Sequence, residues 1–243
     1  MQLEGSTAIV TGGSSGIGEA IATAYVEAGA DVVIASRTEA DGRDVADELG
    51  CRYVQTDVTE YDQVEALVDT TVEEAGSLDV MVNNAGIPSS SKVVEMDLAE
   101  WRNVIRVNLD GVMHGTKAAL PHLIESDGCI INTASIYGLV GGKGAAAYSA
   151  AKGGVVNFTQ QVAVDYAEEG VRVNSICPGF VETPMTESLL ETEWFYTFLR
   201  EETPMERPAQ PEEIAPLAVF LASDGASYIT GANVPVDGGW TAH

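Results

Sequence analysis

Residues 6 to 18 read Ser6-Thr7-Ala8-Ile9-Val10-Thr11-Gly12-Gly13-Ser14-Ser15-Gly16-Ile17-Gly18. A β-branched apolar run ends at Thr11, a glycine-rich turn follows, and a helical pattern opens at Gly16. Glycines permit a tight turn and a close backbone approach, while the first turn of a helix offers unpaired N–H groups and a favourable dipole to an anion. Directly after a first strand, this is where an open α/β sheet holds the pyrophosphate of a dinucleotide. The spacing Gly12, Gly16, Gly18 is not Gly-x-Gly-x-x-Gly, and an ordinary loop is the competing reading. No lysine follows the glycines, so phosphoryl transfer fits poorly.

Outward from this stretch, short β-rich runs alternate with longer helical ones, the signature of βαβ units. Strands are expected at Ser6–Thr11, Asp31–Ser36, Arg52–Gln55, Asp79–Asn83, Gly128–Thr133, Val171–Cys177 and Asn233–Val236. Helices are expected at Gly16–Ala28, Ala40–Leu49, Tyr61–Ala75, Leu98–Ile124, Ala147–Glu169 and Pro211–Ala222. The fold class is α/β: a single-domain Rossmann fold over residues 1–243, with a doubly wound seven-stranded parallel sheet and helices on both faces. Residues 1–134 form mainly the cofactor-binding half and 135–243 the catalytic and substrate half. The long stretch without a strand, Phe180–Gln210, carries Trp194-Phe195-Tyr196-Thr197-Phe198-Leu199. Those aromatics read either as core or as a substrate-covering lid over residues 183–208.

Composition narrows the classes of partner. Acidic residues number 37 against 12 basic, a formal charge of −25, which disfavours nucleic acid and anionic membranes. The acids are dispersed rather than blocked at one end, as in Glu39-Ala40-Asp41-Gly42-Arg43-Asp44. Self-repulsion of such a shell is relieved by salt, pointing to a high-salt cytoplasm of halophilic type. No run reaches the length of a membrane span, and Met1-Gln2-Leu3-Glu4 lacks the basic flank of a signal peptide; the expected location is cytoplasmic. Cys51, Cys129 and Cys177 are scattered singly, as reduced thiols, and no Cys/His spacing suggests a metal.

Chemistry enters with Ala147-Tyr148-Ser149-Ala150-Ala151-Lys152, and with Ser135 thirteen residues before Tyr148. Residues i and i+4 share a helix face, so a phenol and an ammonium stand side by side. A fixed positive charge favours the phenolate and makes tyrosine usable as an acid/base. A surface tyrosine with a solvated lysine is the bland alternative. At the end of strand two, Ser36-Arg37 occupies the place where dinucleotide folds read the adenosine ribose. No carboxylate stands there to repel a 2′-phosphate, and the guanidinium can hold one. NADP(H) is therefore favoured and NAD(H) remains possible, with nearby Glu39 weighing against the phosphate.

These residues resemble the short-chain dehydrogenase/reductase family, and the resemblance covers essentially the whole chain. It rests on Thr11-Gly12-x-x-x-Gly16-Ile17-Gly18, Asp57 after strand three, Asn83-Asn84-Ala85-Gly86 after strand four, Asn108, Ser135, Tyr148-x-x-x-Lys152, and Pro178-Gly179 followed by Thr183. The resemblance implies that Tyr148 is the acid/base on the substrate oxygen and that Ser135 bonds the same oxygen. It implies that Lys152 lowers the Tyr148 pKa and grips the nicotinamide ribose. Asn108 distorts its helix to hold a water linking Lys152 to solvent. The glycine turn, with Gly12, Ser14, Ser15, Gly16, Ile17 and Gly18, takes the pyrophosphate. Asp57 and Val58 meet adenine, Asn84, Ala85 and Gly86 pass behind the adenosine ribose, and Pro178, Gly179, Val181 and Thr183 bracket the nicotinamide carboxamide. An N-cap role for Asp57, a surface amide for Asn108 and a turn-forming role for Ser135 stay open as residue-level alternatives.

The implied reaction is hydride transfer between the nicotinamide and a small-molecule secondary alcohol or ketone. Ile136, Tyr137, Phe180, Met185 and Trp194 are candidate substrate contacts, an apolar set. Lys92 and Lys143, two of four lysines, leave open a 3-oxoacyl substrate, and glucose-type sugars are a further alternative. A dinucleotide-sensing protein without catalysis is the reading from another class. The family commonly forms dimers and tetramers, and Val155, Val156, Phe158, Val162 and Val164, with Trp240, offer apolar surface for a homo-oligomer.

Overall fold

In the computed structural model, which describes residues 2–242, the strands β1 (Thr7–Thr11), β2 (Asp31–Ser36), β3 (Arg52–Gln55), β4 (Val80–Asn83), β5 (Cys129–Thr133), β6 (Arg172–Pro178) and β7 (Asn233–Val236) form one sheet. Its order is β3-β2-β1-β4-β5-β6-β7, with every neighbouring pair parallel. The direction of winding reverses between β1 and β4, which opens a crevice at the carboxyl ends of those strands.

Both sheet faces are covered, and the strands show why. Ala8 and Val10 of β1, Val32 and Ile34 of β2, and Cys129 and Ile131 of β5 pack in one cluster with Ile21 and Tyr25 of α1 (Gly16–Glu27). The alternate residues Ile9, Val33 and Ile130 pack in a second cluster, against α3 (Tyr61–Ala75), α5 (Gly111–Glu125) and α7 (Ala146–Tyr166). Side chains alternate across a strand with period two, so strands buried on both faces read as unbroken apolar runs. That is the pattern the sequence carries. The second helix, α2 (Glu39–Leu49), is amphipathic and closes over a left-handed Gly50.

Two predicted helices differ in detail. The expected single helix Leu98–Ile124 is interrupted: α4 (Leu98–Ile105) passes into a π-helical turn (Arg106–Asp110) before α5 begins. Two local demands explain the widening. Asn108 is wholly buried and turned to the backbone of Ile87, while Gly111 lies so close to Val58 that a Cβ there would fall 2.8 Å from its side chain. The expected helix Pro211–Ala222 divides into a 3₁₀ turn (Pro211–Glu213), held by a Gln210/Glu213 capping box, and α10 (Ala215–Ala222). Three short helices lay outside the sequence reading: α6 (Ile136–Leu139), α8 (Glu187–Leu190) and α9 (Glu193–Glu202). In α9 the spacing of Phe195 and Leu199, i and i+4, buries both on one face.

Buried polar groups fix the centre of the second layer. Asn83 donates to Asn132 Oδ1 at 2.9 Å and to Thr116 at 3.3 Å, and Asn132 donates to Thr159 at 2.9 Å. No helix among the described residues is long and apolar enough to cross a membrane. All three cysteines are unpaired, with Cys129 and Cys177 buried, and no described cluster of acidic, His or Cys side chains has metal-binding geometry.

Candidate active site

The crevice is tied together at its floor by hydrogen bonds from strand ends. Thr11 Oγ1 donates to Val82 O at 3.2 Å and accepts from the N–H of Asn84 (3.0 Å) and Ala85 (3.2 Å). The Asn84 amide donates back to Thr11 O and Gly12 O, at 3.1 and 3.3 Å, and its Oδ1 accepts from the Thr133 hydroxyl at 3.2 Å. Thr133 O in turn accepts from Lys152 Nζ at 2.6 Å. The glycine turn, the β4 end and the helix bearing Tyr148 and Lys152 are thus one connected unit.

Two contiguous cavities share Gly12, Ala85 and Gly86. One is lined by Ser15, Gly16, Ile17, Asn84, Ser135, Tyr148, Lys152, Pro178, Gly179, Val181, Thr183 and Met185. The other is lined by Ser14, Ser36, Arg37, Asp57 and Val58. Together they form a long cleft with a phenol and ammonium at one end and a guanidinium at the other. No side chain caps α1, so its first-turn N–H groups remain available to an anion where Gly16 and Ile17 line the wall. Gly18 brings the helix against the turn, since a Cβ there would fall 2.1 Å from Gly12 O. A backbone this tightly drawn, with open N–H groups beneath an elongated cleft, fits a dinucleotide.

At the chemical end, Ser135 Oγ accepts the N–H of Tyr137 at 3.1 Å, capping α6. That use of its lone pair leaves the Ser135 O–H to donate into the cleft. Burial pushes the Tyr148 phenol up to about 12, opposed by its hydrogen bond with Ser135 and reinforced by the neighbouring Tyr137. Part of the Tyr148 surface stays open to the cleft, which limits how far burial can act. Lys152 is 3% exposed, and burial pulls its ammonium down to about 8. Its Nζ lies 5.7 Å from the centre of the Tyr148 ring, with a proton committed to Thr133 O. Burial is the largest influence on the Tyr148 phenol, and Lys152 is not among the groups that shift it in this structure.

The matches to known proteins agree with this geometry. Residues 12–241 match the family described as Enoyl-(Acyl carrier protein) reductase. The chain is 42% identical to meso-2,3-butanediol dehydrogenase of Serratia marcescens, covering 100% of this chain and 97% of that protein. It is 46% identical to cis-4-hydroxycyclohexanecarboxylate dehydrogenase of Sinomonas cyclohexanicum, covering 97% and 96%. A short-chain type dehydrogenase/reductase from Mycobacterium marinum superposes with a TM-score of 0.94 at 35% identity, over 100% of this chain and 98% of that one. The chain belongs to the short-chain dehydrogenase/reductase family. As a member it is a nicotinamide-dependent oxidoreductase.

Within this short-chain dehydrogenase/reductase, most sequence-predicted residues meet in the cleft, and several do not. Asn108 lies beneath it: its Oδ1 accepts from Ile87 N at 2.8 Å and its Nδ2 donates to Ile87 O at 2.9 Å. The amide fixes the chain after Gly86 and is no surface group. Asp57 lines the Arg37 end and also accepts from Thr59 N at 2.9 Å, so turn-forming and site-lining roles coexist. Among the substrate candidates only Met185 lines the cleft. Ile136 is 2% exposed, part of the core. Trp194 is 67% exposed and meets Phe195 edge-on at 5.5 Å. Phe180 joins Tyr137, Phe195 and Trp240 edge-on at 6.0, 5.1 and 5.2 Å. Trp240 thus packs within its own chain. Lys92 and Lys143 are exposed and stand off the cleft wall. Thr133, Ala134, Pro184 and Thr186 line the cleft without having been singled out; Thr133, closing the β5 run two residues before Ser135, had the strongest sequence signal.

Burial of Lys152 predicts a pH signature. Its folded pKa of about 8 lies below the ordinary 10.5, so between those values the unfolded chain binds more proton than the folded one. Stability from this group therefore rises as pH climbs from 8 toward 10.5. Lys152→Met lacks that contribution, so any stability advantage over the parent at pH 7 should shrink by pH 10, read by urea unfolding of both proteins. A difference independent of pH over that range contradicts the assignment.

Proposed function

We propose that this enzyme interconverts a secondary alcohol and a ketone, with Tyr148 as acid/base, Ser135 as hydrogen-bond donor to the substrate oxygen, and Asn108 and Lys152 completing the catalytic set. The observation that carries the reading is the convergence of Ser135, Tyr148 and Lys152 at one end of a dinucleotide-shaped cleft. When bound, the nicotinamide supplies or accepts the hydride. The protein handles the proton and the charge. With one lone pair holding Tyr137 N–H, Ser135 keeps its O–H free to stabilise negative charge developing on the substrate oxygen. Tyr148, protonated at neutral pH, gives its proton to that oxygen in reduction and takes it back in oxidation. Lys152, still largely charged at pH 7, holds a positive potential beside the phenol and, anchored on Thr133 O, grips ribose hydroxyls. Asn108, clamped to Ile87, keeps the π-helical turn that positions a water. Pro178, Gly179, Val181 and Thr183 bracket the carboxamide.

Residues 1–134 serve mainly the cofactor and residues 135–243 the chemistry and the substrate, with 183–208 as a lid. Met185, the one substrate candidate on the cleft wall, is apolar, which favours a secondary alcohol or ketone with an apolar body. The two relatives' names supply candidates carrying a second oxygen function, butane-2,3-diol and hydroxycyclohexanecarboxylate. Tyr148→Phe removes one oxygen and should cut kcat by at least about 100-fold, the usual contribution of a general acid–base, with nucleotide affinity by fluorescence titration changed less than about 3-fold. Turnover near the parent rate would exclude Tyr148 from the proton step.

NADP(H) is the preferred cofactor. Arg37 lines the cleft and makes no ion pair among the described residues, whereas Glu39 is engaged with Arg43 at 2.8 Å. That pairing relieves the objection Glu39 raised. The expected kcat/KM is higher with NADPH than NADH, with up to about 10-fold of the ratio lost in Arg37→Ala, the scale of one charge-assisted hydrogen bond at a solvent-open site. A parent enzyme preferring NADH overturns this choice.

The acidic shell fits a halophilic, cytoplasmic enzyme that works as a homo-oligomer, tetramer or dimer. Most arginines already pair with acids, leaving a large surplus of negative charge to be screened. Of the apolar residues expected at an interface, Val155 and Val162 are buried within the chain, while Val164 is exposed at 76%, as are Val94 and Leu98 at 98% and 67%. Raising salt from about 0.1 M to 1 M, where the Debye length falls from about 10 to 3 Å, should raise Tm and activity. Light scattering in the same series should show an oligomer. A Tm unchanged or lowered by salt opposes the adaptation, and a monomer at 1 M salt opposes the assembly.

A further inference from the structure

The π-helical turn and the start of α5 present two sides to the cleft. Asn108 turns to Ile87, whereas Arg106, Gly111 and His114 all meet the loop after β3. Gly111 N–H closes on Arg106 O, an i→i+5 bond that sets the two residues one wide turn apart. Gly111 and His114, i and i+3, then share a face of α5. Arg106 donates to Glu60 Oε1 at 3.0 Å. Gly111 seats the Val58 side chain, which a Cβ there would meet at 2.8 Å. His114 Nδ1 lies 2.8 Å from Val58 O. A carbonyl only accepts, so the proton of this bond sits on Nδ1 and the tautomer is fixed. No other described residue donates to Val58 O, and Val58 is 8% exposed. The imidazole is half-buried and is braced edge-on by Tyr61, with ring centres 5.7 Å apart. Asp57 and Val58 line the Arg37 end of the cleft.

We infer that His114 is a positioning residue for the adenosine end of the cofactor: its hydrogen bond to Val58 O, with Gly111 behind the side chain, holds the Asp57–Val58 wall against which the adenine lies. This rests on the placement of adenine at Asp57 and Val58. The imidazole is not part of the cleft wall and acts through the carbonyl it satisfies. Without that donor a buried carbonyl loses its partner, and leaving such a group unpaired costs more than the bond itself contributes. A loop that turns Val58 O toward water to escape the cost carries the wall with it. One interrupted helix thus supports the cleft at two places, with Asn108 beneath Gly86 and Ile87 and His114 behind Val58.

The test reads binding of ADP-ribose by calorimetry, which needs neither turnover nor a nicotinamide. His114→Phe keeps an aromatic ring against Tyr61 and removes the donor, while His114→Asn returns an amide N–H close to the position of Nδ1. His114→Phe should raise the ADP-ribose Kd by about 5- to 10-fold, the scale of one hydrogen bond, and His114→Asn should recover most of that loss. In turnover the loss should fall on the cofactor KM and leave kcat at saturating cofactor nearly unchanged, the pattern of lost uniform binding. Gly111→Ala presses on Val58 from the helix side and should raise the Kd as well; it stands in for His114→Phe if that variant does not fold. Asp57→Ala checks the placement of adenine on its own. If Asp57→Ala weakens ADP-ribose and the folded His114→Phe, or Gly111→Ala in its place, binds it as the parent does, the inference is overturned and the adenine placement stands. If neither weakens it, both are overturned. A loss in His114→Phe that His114→Asn does not recover, with kcat falling alongside, marks a general structural role and also overturns the inference.

Discussion

The chain of hydrogen bonds from Gly12 through Asn84 and Thr133 to Lys152 is the constraint on which the site depends. Each link joins a different part of the sequence: the glycine turn after β1, the end of β4, the end of β5 and the second turn of α7. None is strong alone, since a typical intramolecular hydrogen bond contributes about 1 kcal/mol net. Their value is geometric. They set the glycine turn, the floor of the cleft and the lysine in one register, and the parallel pairing of β1, β4 and β5 supplies the three strand ends at the same level.

Electrostatics at the other end of that chain follow from burial. Taking Tyr148 and Lys152 from water disfavours the charged form of each, which raises one pKa and lowers the other. A phenol kept protonated is a competent proton donor at neutral pH. Running in the opposite sense asks for a phenolate, which higher pH favours. Local structure orients the serine: the α6 N-cap engages one lone pair and leaves the proton free to donate. A four-residue helix that would otherwise be a trivial turn thus gives Ser135 its direction.

The fold was legible because its strands are buried on both faces, and such strands write continuous apolar runs into a sequence. The cofactor cleft was legible because glycines at Gly12, Gly16 and Gly18 answer to backbone geometry, which needs no knowledge of distant contacts. What escaped reading depended on contacts between remote segments. The π-helical turn at Arg106–Asp110, a distortion at Asn108 that only the family resemblance implied, comes with Asn108 meeting Ile87, twenty-one residues away, and periodicity carries no trace of it. Ile136 looked like pocket wall because it follows Ser135, yet a residue on a short helix packed against α7 turns into the core. The aromatics of α9 divide between two environments: Phe195 is buried in the core and Trp194 is exposed. Trp240 looked free to meet a neighbour and found Phe180 and Phe198 instead.

The central claim is direct hydride transfer at the Ser135–Tyr148–Lys152 end of the cleft, with the protein moving only the proton. Deuterium at the carbinol carbon of a secondary alcohol that the enzyme oxidises tests it most directly, with the reduced nicotinamide isolated and examined by NMR. The account predicts deuterium at the nicotinamide C4, on one face only, without loss to solvent, and loss of the transfer in Tyr148→Phe. Deuterium released into water, or a reduced nicotinamide carrying solvent hydrogen at C4, would contradict it.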